Sequence, residues 1–270
     1  MKKISCAIVL FNNDEETLNK AINSFLNTSL SFRFYLIDNS PTDKLKRLAI
    51  DDKITYFHNP SNPGFGVAHN IAITKAIAEG SNFHFIINPD IYFDTDVITP
   101  MVHYMQEHQD VGMMMPEVLY PDGCVQFLPK LLPNPFWILK RKFKRPKKSF
   151  NNFIDKYELR KMPRTKIYNA PILSGCFTLL NLQAIEDVGG YDDNYFMYFE
   201  DFDLSRRMHQ KYKTIYFPKV SVYHGYEGGA NKSFKLFKIF IASAITYFNK
   251  WGWIFDRERK EINKRALTQL

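Results

Sequence analysis

The 270-residue chain is 45% hydrophobic and 16% aromatic, enough to bury a large core and too apolar for a disordered polymer. A formal charge of +8 points to an anionic substrate, nucleic acid or an acidic membrane surface without choosing among them. Cys6, Cys124 and Cys176 are odd in number and widely spaced, which argues against a disulfide scaffold or a cysteine zinc cluster and fits a reducing compartment. The basic start MKKISCAIVLFNN has too short an apolar run for a secretory signal, and no uninterrupted run of about 20 apolar residues follows that would span a membrane.

Ile4–Phe11 reads as a first strand ending at Asn12-Asn13. Asp14 is placed to cap a helix whose acidic start, Glu15-Glu16, suits its positive pole and whose apolar face is Leu18, Ile22, Phe25 and Leu26. Arg33–Ile37 is a second strand, completing a right-handed βαβ unit, and it ends at Asp38-Asn39-Ser40. Asp38 can accept hydrogen bonds from a base or ribose, or open an Asx turn with Ser40; both readings stand. A short strand at Ile54–Phe57 leads through HNPSNPGFG to a helix over Val67–Glu79, with Ala68, Ala72 and Ala76 on one side for close approach to a sheet. The Gly-rich lead-in suits backbone contact with a phosphate, although it matches neither a P-loop nor the dinucleotide fingerprint. Asn70 is either a sugar or diphosphate donor or an ordinary polar helix position.

Phe83–Ile87 is an interior strand of a mostly parallel sheet, and it stops at Asn88-Pro89-Asp90. Ligands of such sheets bind beyond the carboxyl ends of the strands. An extended Asn88–Asp90 segment, stiffened by Pro89, would aim an amide and a carboxylate the same way, toward a hard divalent cation and phosphate oxygens; a strand ending in an ordinary turn is the other reading. Thr99-Pro100 should start a helix ending near His108; Val111–Met115 is a further strand, Pro121-Asp122-Gly123 a hairpin turn, and the α/β alternation breaks near residue 116.

Residues 130–166 carry 13 Lys or Arg against Asp155 and Glu158, a net +11, so the remainder of the chain is at −3. Phe136, Trp137, Ile138, Leu139, Phe143, Phe150 and Phe153 are interleaved with these charges. The insertion is suited to an acidic membrane or an acceptor, while packing of its aromatics on the body is the alternative. Pro171–Leu180 returns to a buried strand, with Gly175 marking close backbone approach to a ligand. Asn181 caps a short helix closed by Gly189-Gly190, and a further helix begins near Glu200 with Glu200, Asp201 and Asp203 at its positive end and Arg206 and Arg207 after them. These carboxylates are either a proton-accepting site or an ordinary helix-start charge pattern. Strands at Ile215–Phe217 and Val220–Tyr223 lead to His224, a metal ligand, phosphate donor or idle histidine, then to a Gly-rich loop through Gly229. Ser233–Trp253 is helical, with packing on the domain as the default and shallow interfacial contact as the alternative. Asp256–Arg265 reads as a solvated helix end.

In this order and spacing, the loop after the first strand, Asp38, the NPGFG run leading to Asn70, Asn88-Pro89-Asp90, Gly175-Cys176, Glu200-Asp201-Phe202-Asp203 with Arg207, and His224 resemble family 2 glycosyltransferases of the GT-A fold, particularly the bacterial rhamnosyltransferase-like members. The resemblance covers roughly residues 3–250, and Asn88 departs from the usual double aspartate. It implies an α/β fold, a Rossmann-like mixed, mostly parallel sheet flanked by helices, in a single domain with the basic insertion. Residues 1–115 would form the donor half, 116–229 the acceptor and catalytic half, and 230–270 a helical extension. Asp38 with Phe11 and Asn12 would line the base pocket, Asn70, Asn88 and Gly175 would serve the donor, and Asp90 with His224 would hold Mg²⁺ or Mn²⁺. Asp201 would be the base of an inverting transfer, flanked by Glu200 and Asp203 and oriented by Arg207. The implied partners are a nucleotide-diphosphate sugar and a saccharide or lipid-linked acceptor, in the cytoplasm or at the inner membrane face. An anionic membrane surface and self-association through exposed aromatics are open, and nucleic acid is not expected as a partner. The rivals are a non-catalytic nucleotide-sugar binder, a nucleotidyltransferase, whose Gly-rich first loop FNNDEET lacks, and a nucleic-acid-binding protein acting through the insertion.

Overall fold

A computed structural model describes residues 3–141, 145–225 and 233–270. Phe143 and the Gly-rich loop expected at Tyr226–Gly229 lie outside the described residues. The strands are β1 (Ile4–Leu10), β2 (Phe32–Asp38), β3 (Ile54–His58), β4 (Phe83–Ile87), β5 (Ile91–Tyr92), β6 (Val111–Leu119), β7 (Tyr168–Asn169), β8 (Phe177–Asn181) and β9 (Lys213–His224). They join in one sheet of order β3-β2-β1-β4-β8-β6-β9-β5, with β7 also on β9. β1, β2, β3, β4, β6 and β9 run one way, and β5, β7 and β8 the other. This is the expected mixed, mostly parallel sheet, with helices packed on it.

Period-two alternation divides the core between the two faces. On one face Ile4, Cys6, Ile8 and Leu10 of β1 join Phe85 of β4, Phe25 of α1 (Glu15–Leu26) and Met101 of α3 (Ile98–Glu107). On the other, Ala7, Tyr35 and Ile86 meet Ala68, Ala72 and Ala76 of α2 (Phe65–Ala78), whose small side chains bring that helix close to β1, β2 and β4. Leu182 and Ile185 of α6 (Leu182–Val188) and Leu204 and Met208 of α7 (Glu200–Lys211) share this second face. Asp14 caps α1 as expected, accepting from Thr17 N–H at 2.9 Å, and Asn181 caps α6.

Several segments differ from the sequence reading. β6 continues through Pro116 to Leu119, and β9 is one strand rather than two. Both prolines, Pro116 and Pro218, sit at the register shift where Pro116–Phe217 pairing gives way to Glu117–Ser221, a position that does not need their missing N–H. The strand expected from Pro171 begins only at Phe177, because Gly175 N–H and Cys176 C=O bond outside the ladder. α3 starts at Ile98, and Asp96 rather than Thr99 supplies the capping oxygen, accepting from Thr99 N–H at 3.0 Å.

The insertion forms α4 (Pro135–Lys140) and α5 (Lys147–Tyr157), with Trp137, Phe153 and Tyr157 in mutual ring contact against the second face. The tail is not a solvated end. α9 (Arg257–Leu267) buries Arg259, Ile262 and Ala266, and Asn263 exchanges two hydrogen bonds with Leu132. Between them, α8 (Phe234–Trp251) packs Ala244, Tyr247 and Phe248 against Tyr195 and Phe199. Among the described residues, no helix is long and apolar enough to cross a membrane.

Candidate active site

The parallel strands β1, β2 and β4 deliver Phe11 and Asn12, Asp38 and Asn88 at their carboxyl ends. Asp38 is fully buried; Oδ1 accepts from Ser40 N–H at 2.8 Å and Oδ2 from Tyr56 O–H at 2.6 Å, so the Asx turn is formed. Ser40 Oγ in turn accepts from Asn12 N–H at 2.8 Å, holding Asn12 in a left-handed conformation and leaving the Phe11 ring exposed.

Of the two readings of Asn88-Pro89-Asp90 the turn is the one formed, since Ile91 N–H returns to Asn88 O at 3.2 Å. The turn feeds Ile91 into pairing with His224, and Gly225 N–H bonds Asp90 O at 3.0 Å. These contacts place Asp90 Oδ1 3.3 Å from His224 Nε2. Gln126, which carries no local motif, fixes the ring. Its Nε2 donates to Leu119 O and His224 O, so its Oε1 is the atom 2.9 Å from His224 Nδ1, and Nδ1 must carry the hydrogen. With the Nδ1 hydrogen donated to Gln126, Nε2 is the ring atom that faces the Asp90 carboxylate oxygen, and these two atoms could hold a cation jointly. One carboxylate and one imidazole fit a Mg²⁺ or Mn²⁺ that takes its remaining ligands from substrate phosphates and water. Among the described residues, no cluster of three or more His, Cys, Asp or Glu offers an all-protein cage.

Gly175-Cys176 joins this turn to the start of α7. Gly175 N–H donates to Asp201 Oδ2 at 3.3 Å, while Cys176 O accepts from Asn88 N–H at 2.8 Å. Burial pushes the Cys176 thiol up to about 12, and the Asp90 and Asp201 carboxylates add to it, so both charges bear on one buried sulfur. Asp201 Oδ1 also accepts from Phe202 N–H at 2.9 Å, which fixes the carboxylate from two sides. The residues before it, Tyr198 and Phe199, are both left-handed, a strained turn that only surrounding structure can hold. Phe65 N–H bonds Phe196 O at 2.9 Å on one side, where any side chain at Gly64 would strike that carbonyl. On the other side, α8 stacks Phe240, Tyr247 and Phe248 around Phe199.

The acidic helix start separates into three environments. Glu200 is buried, and its carboxyl is pushed up to about 8, first by burial and then by the Asp201 charge. Half-buried Asp201 is also raised by burial, an effect that the nearby Lys130 ammonium offsets. Asp203 is fully buried and saturated: Oδ2 pairs with Arg207 Nε at 2.8 Å, while Oδ1 accepts from Trp251 Nε1 and Lys250 Nζ, each at 2.8 Å. Lys130, read in sequence only as part of the basic run, is buried with Nζ on Leu128 O and is itself pushed down to about 8 by burial.

Asn70 and Arg207 are engaged in a latch beside the carboxylates. The Asn70 amide accepts from Tyr191 N–H and donates to Tyr191 O, both at 2.8 Å, and a side chain at Gly190 would collide with it. Arg207 donates to the carbonyls of Val188, Gly189 and Gly190, closing the end of α6. These residues therefore build the wall behind Asp201, and their polar atoms are spent on it.

The Glycosyl transferase family 2 sequence pattern matches residues 5–189. The chain belongs to that family. As a family 2 chain, it is 22% identical over 266 residues to rhamnosyltransferase WbbL of Escherichia coli K12, covering 95% of this chain and 97% of that one. It is 24% identical over 211 residues to an N-acetylglucosaminyl-diphospho-decaprenol L-rhamnosyltransferase of Mycobacterium tuberculosis, covering 70% of this chain and 65% of the mycobacterial enzyme. Among solved structures, GalNAc-T7 with UDP, GalNAc and Mn²⁺ superposes with a TM-score of 0.64 at 14% identity, covering 99% of this chain and 55% of that one. The Pyrobaculum calidifontis mannosyltransferase PcManGT with GDP-Man and Mn²⁺ gives 0.58 at 14% identity, covering 92% and 63%. These likenesses place the family 2 chain in the GT-A fold.

The Glu200 environment sets a test of this geometry. A carboxyl whose folded pKa is raised keeps its proton in the folded state while the unfolded chain releases it, so stability falls as pH rises from the ordinary carboxylate range to about 8. Glu200→Gln should therefore match the parent at pH 5 and exceed it at pH 9 by on the order of a few kcal/mol in chemical denaturation. Equal differences at both pH values would contradict the buried, protonated Glu200.

Proposed function

We propose that the chain is an inverting glycosyltransferase that moves a sugar from a nucleotide-diphosphate donor to a hydroxyl of a saccharide or lipid-linked saccharide in surface-polysaccharide synthesis. The observation that carries this reading is the Gly175-Cys176 link, which ties the Asp90–His224 pair and Asp201 to the same end of the sheet. The rhamnosyltransferase relatives favour dTDP-rhamnose as donor, with a UDP-hexose second, and the mycobacterial relative's name favours a diphospho-polyprenol acceptor.

In the proposed reaction an Asp201 oxygen takes the acceptor hydroxyl proton while that oxygen bonds to the anomeric carbon. The bond from that carbon to the nucleoside diphosphate breaks on the opposite face. Asp201 suits the base best: it is partly accessible, its carboxylate is aimed by two backbone N–H groups, and burial raises its proton affinity. Glu200 beside it is buried, and Asp203 is committed to Arg207, Lys250 and Trp251. Asp90 and His224 would hold Mg²⁺ or Mn²⁺, whose chemistry is to offset charge gathering on the departing diphosphate. Asp38 shapes the base pocket through its turn, with the exposed Phe11 ring as a stacking face and Asn12 beside it. Asn70 and Arg207 act through the 188–191 wall rather than by touching the donor.

The polynucleotide reading of the basic insertion is weakened by where its charges go. Arg164 pairs with Glu117, Arg160 with Glu158, Lys140 lies over Phe153 and Arg141 over Tyr157. The test of function is turnover across a panel of nucleotide sugars with and without Mn²⁺. Release of nucleoside diphosphate from one donor supports the reading, and no binding or turnover of any donor defeats it. Replacing His224 with Ala should lower Mn²⁺-dependent turnover by about 10²-fold, checked by titrating Mn²⁺ against rate.

A further inference from the structure

The structure assigns an anionic membrane surface as the partner of the outer face of α8, with α4 beside it. The buried face of α8 clamps the strained turn that leads into Asp201. Its opposite face is apolar and exposed: Phe234, Ile241 and Ile245, spaced seven and four residues apart and so on one side of the helix, are 72%, 40% and 44% exposed. α4 adjoins this region through Ile138, which packs against the cluster of Tyr195, Phe199, Ala244, Tyr247 and Phe248, and it presents Phe136 and Leu139 at 67% and 54% exposure. At the far end Trp253 lies against Phe248 and is followed by exposed Ile254 and Phe255.

Charge identifies the occupant. No Asp or Glu occurs between Glu227 and Asp256, where Lys235 and Lys238 lie on α8 while Lys250 is committed to Asp192 and Asp203, and none occurs between Asp122 and Asp155, where seven Lys or Arg lie besides the buried Lys130. On α8 the Lys238 ammonium sits 4.7 Å from the centre of the Phe234 ring, so cation and aromatic share one patch. Protruding apolar side chains with Lys235 and Lys238 on the same helix, and no acid in either contributing segment, match the boundary between anionic headgroups and acyl chains. Docked this way, α8 would lie in the interface with its inner side against the Asp201 turn, about one helix diameter, or roughly 10 Å, from the bilayer boundary. That spacing suits an acceptor sugar carried on a lipid diphosphate; the assignment of acceptor class rests on the transferase reading above, while the docking surface itself does not.

The test is co-sedimentation of the full chain with vesicles of equimolar phosphatidylglycerol and phosphatidylethanolamine, against vesicles of phosphatidylcholine, at low and high salt. Binding to the anionic vesicles alone is expected, weakened by salt. The triple substitution Phe234→Ser, Ile241→Ser, Ile245→Ser and the pair Lys235→Glu, Lys238→Glu should each reduce it by about tenfold or more. Donor hydrolysis in solution should be unchanged in both variants, which separates a failure of docking from a failure of the transferase reading. Absence of vesicle binding at low salt, or equal binding by the triple variant, overturns the proposal. So does a parent dimer that becomes monomeric in the triple variant with neither form binding vesicles, which would make the face a contact between copies.

Discussion

Asp201→Asn is expected to lower turnover of the preferred nucleotide sugar by ~10²–10⁴-fold while donor affinity stays within about threefold. The amide keeps the size of the carboxylate but only one accepting oxygen, so it can retain the 2.9 Å contact from Phe202 N–H while giving up the longer one, 3.3 Å, from Gly175 N–H. The capacity to accept a proton is removed with that weaker contact. Asp201 is raised by burial, so the parent rate should climb with pH until that group is ionised, and the variant should lack that limb. Glu200→Gln supplies a related readout. Glu200 keeps its proton up to about pH 8, so replacing it with the neutral amide should leave the acid limb of Asp201 in place. Undiminished turnover in Asp201→Asn would transfer the role to another group.

The largest stability effect is expected where the tail meets α7. Arg206 is fully buried and forms a two-point pair with Asp256, Nη1 to Oδ2 at 2.7 Å and Nη2 to Oδ1 at 2.8 Å, while Nη2 also reaches Glu258 at 2.9 Å. The guanidinium lies 4.3 Å from the centre of the Trp251 ring, so α7, α8 and α9 converge on one cation. Asp256→Ala strips a buried arginine of its two-point partner and removes the oxygen that caps α9, which accepts from Arg259 N–H at 2.9 Å. The expected cost is about 3–5 kcal/mol, a drop in Tm on the order of 10 °C. The double replacement Arg206→Met, Asp256→Leu removes both members of the two-point pair and should cost less than the sum of its two single changes, with the loss of the α9 cap and of the carboxylate beside buried Arg259 remaining. A single variant that melts with the parent would show that the tail does not brace the helix carrying Glu200 and Asp201.

What the sequence disclosed and what it hid have physical causes. β1, α1 with its Asp14 cap, the Ala68-Ala72-Ala76 stripe and β4 are written in local periodicity and capping, and they stand where expected. The Asn88–Asp90 segment offered an extended and a turn reading, and the hydrogen bond that decides for the turn comes from Ile91, whose pairing with His224 is a long-range contact. Asp38 offered two readings, and its Asx turn became visible only once Tyr56 was seen to occupy its second oxygen. The bonds of Asn70 to Tyr191 could not be read from sequence, because that partner is 121 residues away and carries no signal in the helix itself. Gln126 is an unremarked glutamine until β9 brings His224 to it, and Lys130 was lost in a charge run from which it is physically separated by burial. The charged tail read as solvated because its sequence is polar, whereas its Arg259 and the facing Arg206 are buried by pairing, which composition does not reveal.

The most direct measurement is calorimetric titration of a nucleoside diphosphate into the parent chain, Asp90→Ala and Asp201→Asn, each with and without Mn²⁺. Metal-dependent binding in the parent, abolished in Asp90→Ala and preserved in Asp201→Asn, is the predicted pattern, because one carboxylate serves the leaving group and the other the incoming hydroxyl. Binding that ignores Mn²⁺ and is indifferent to Asp90 would contradict it.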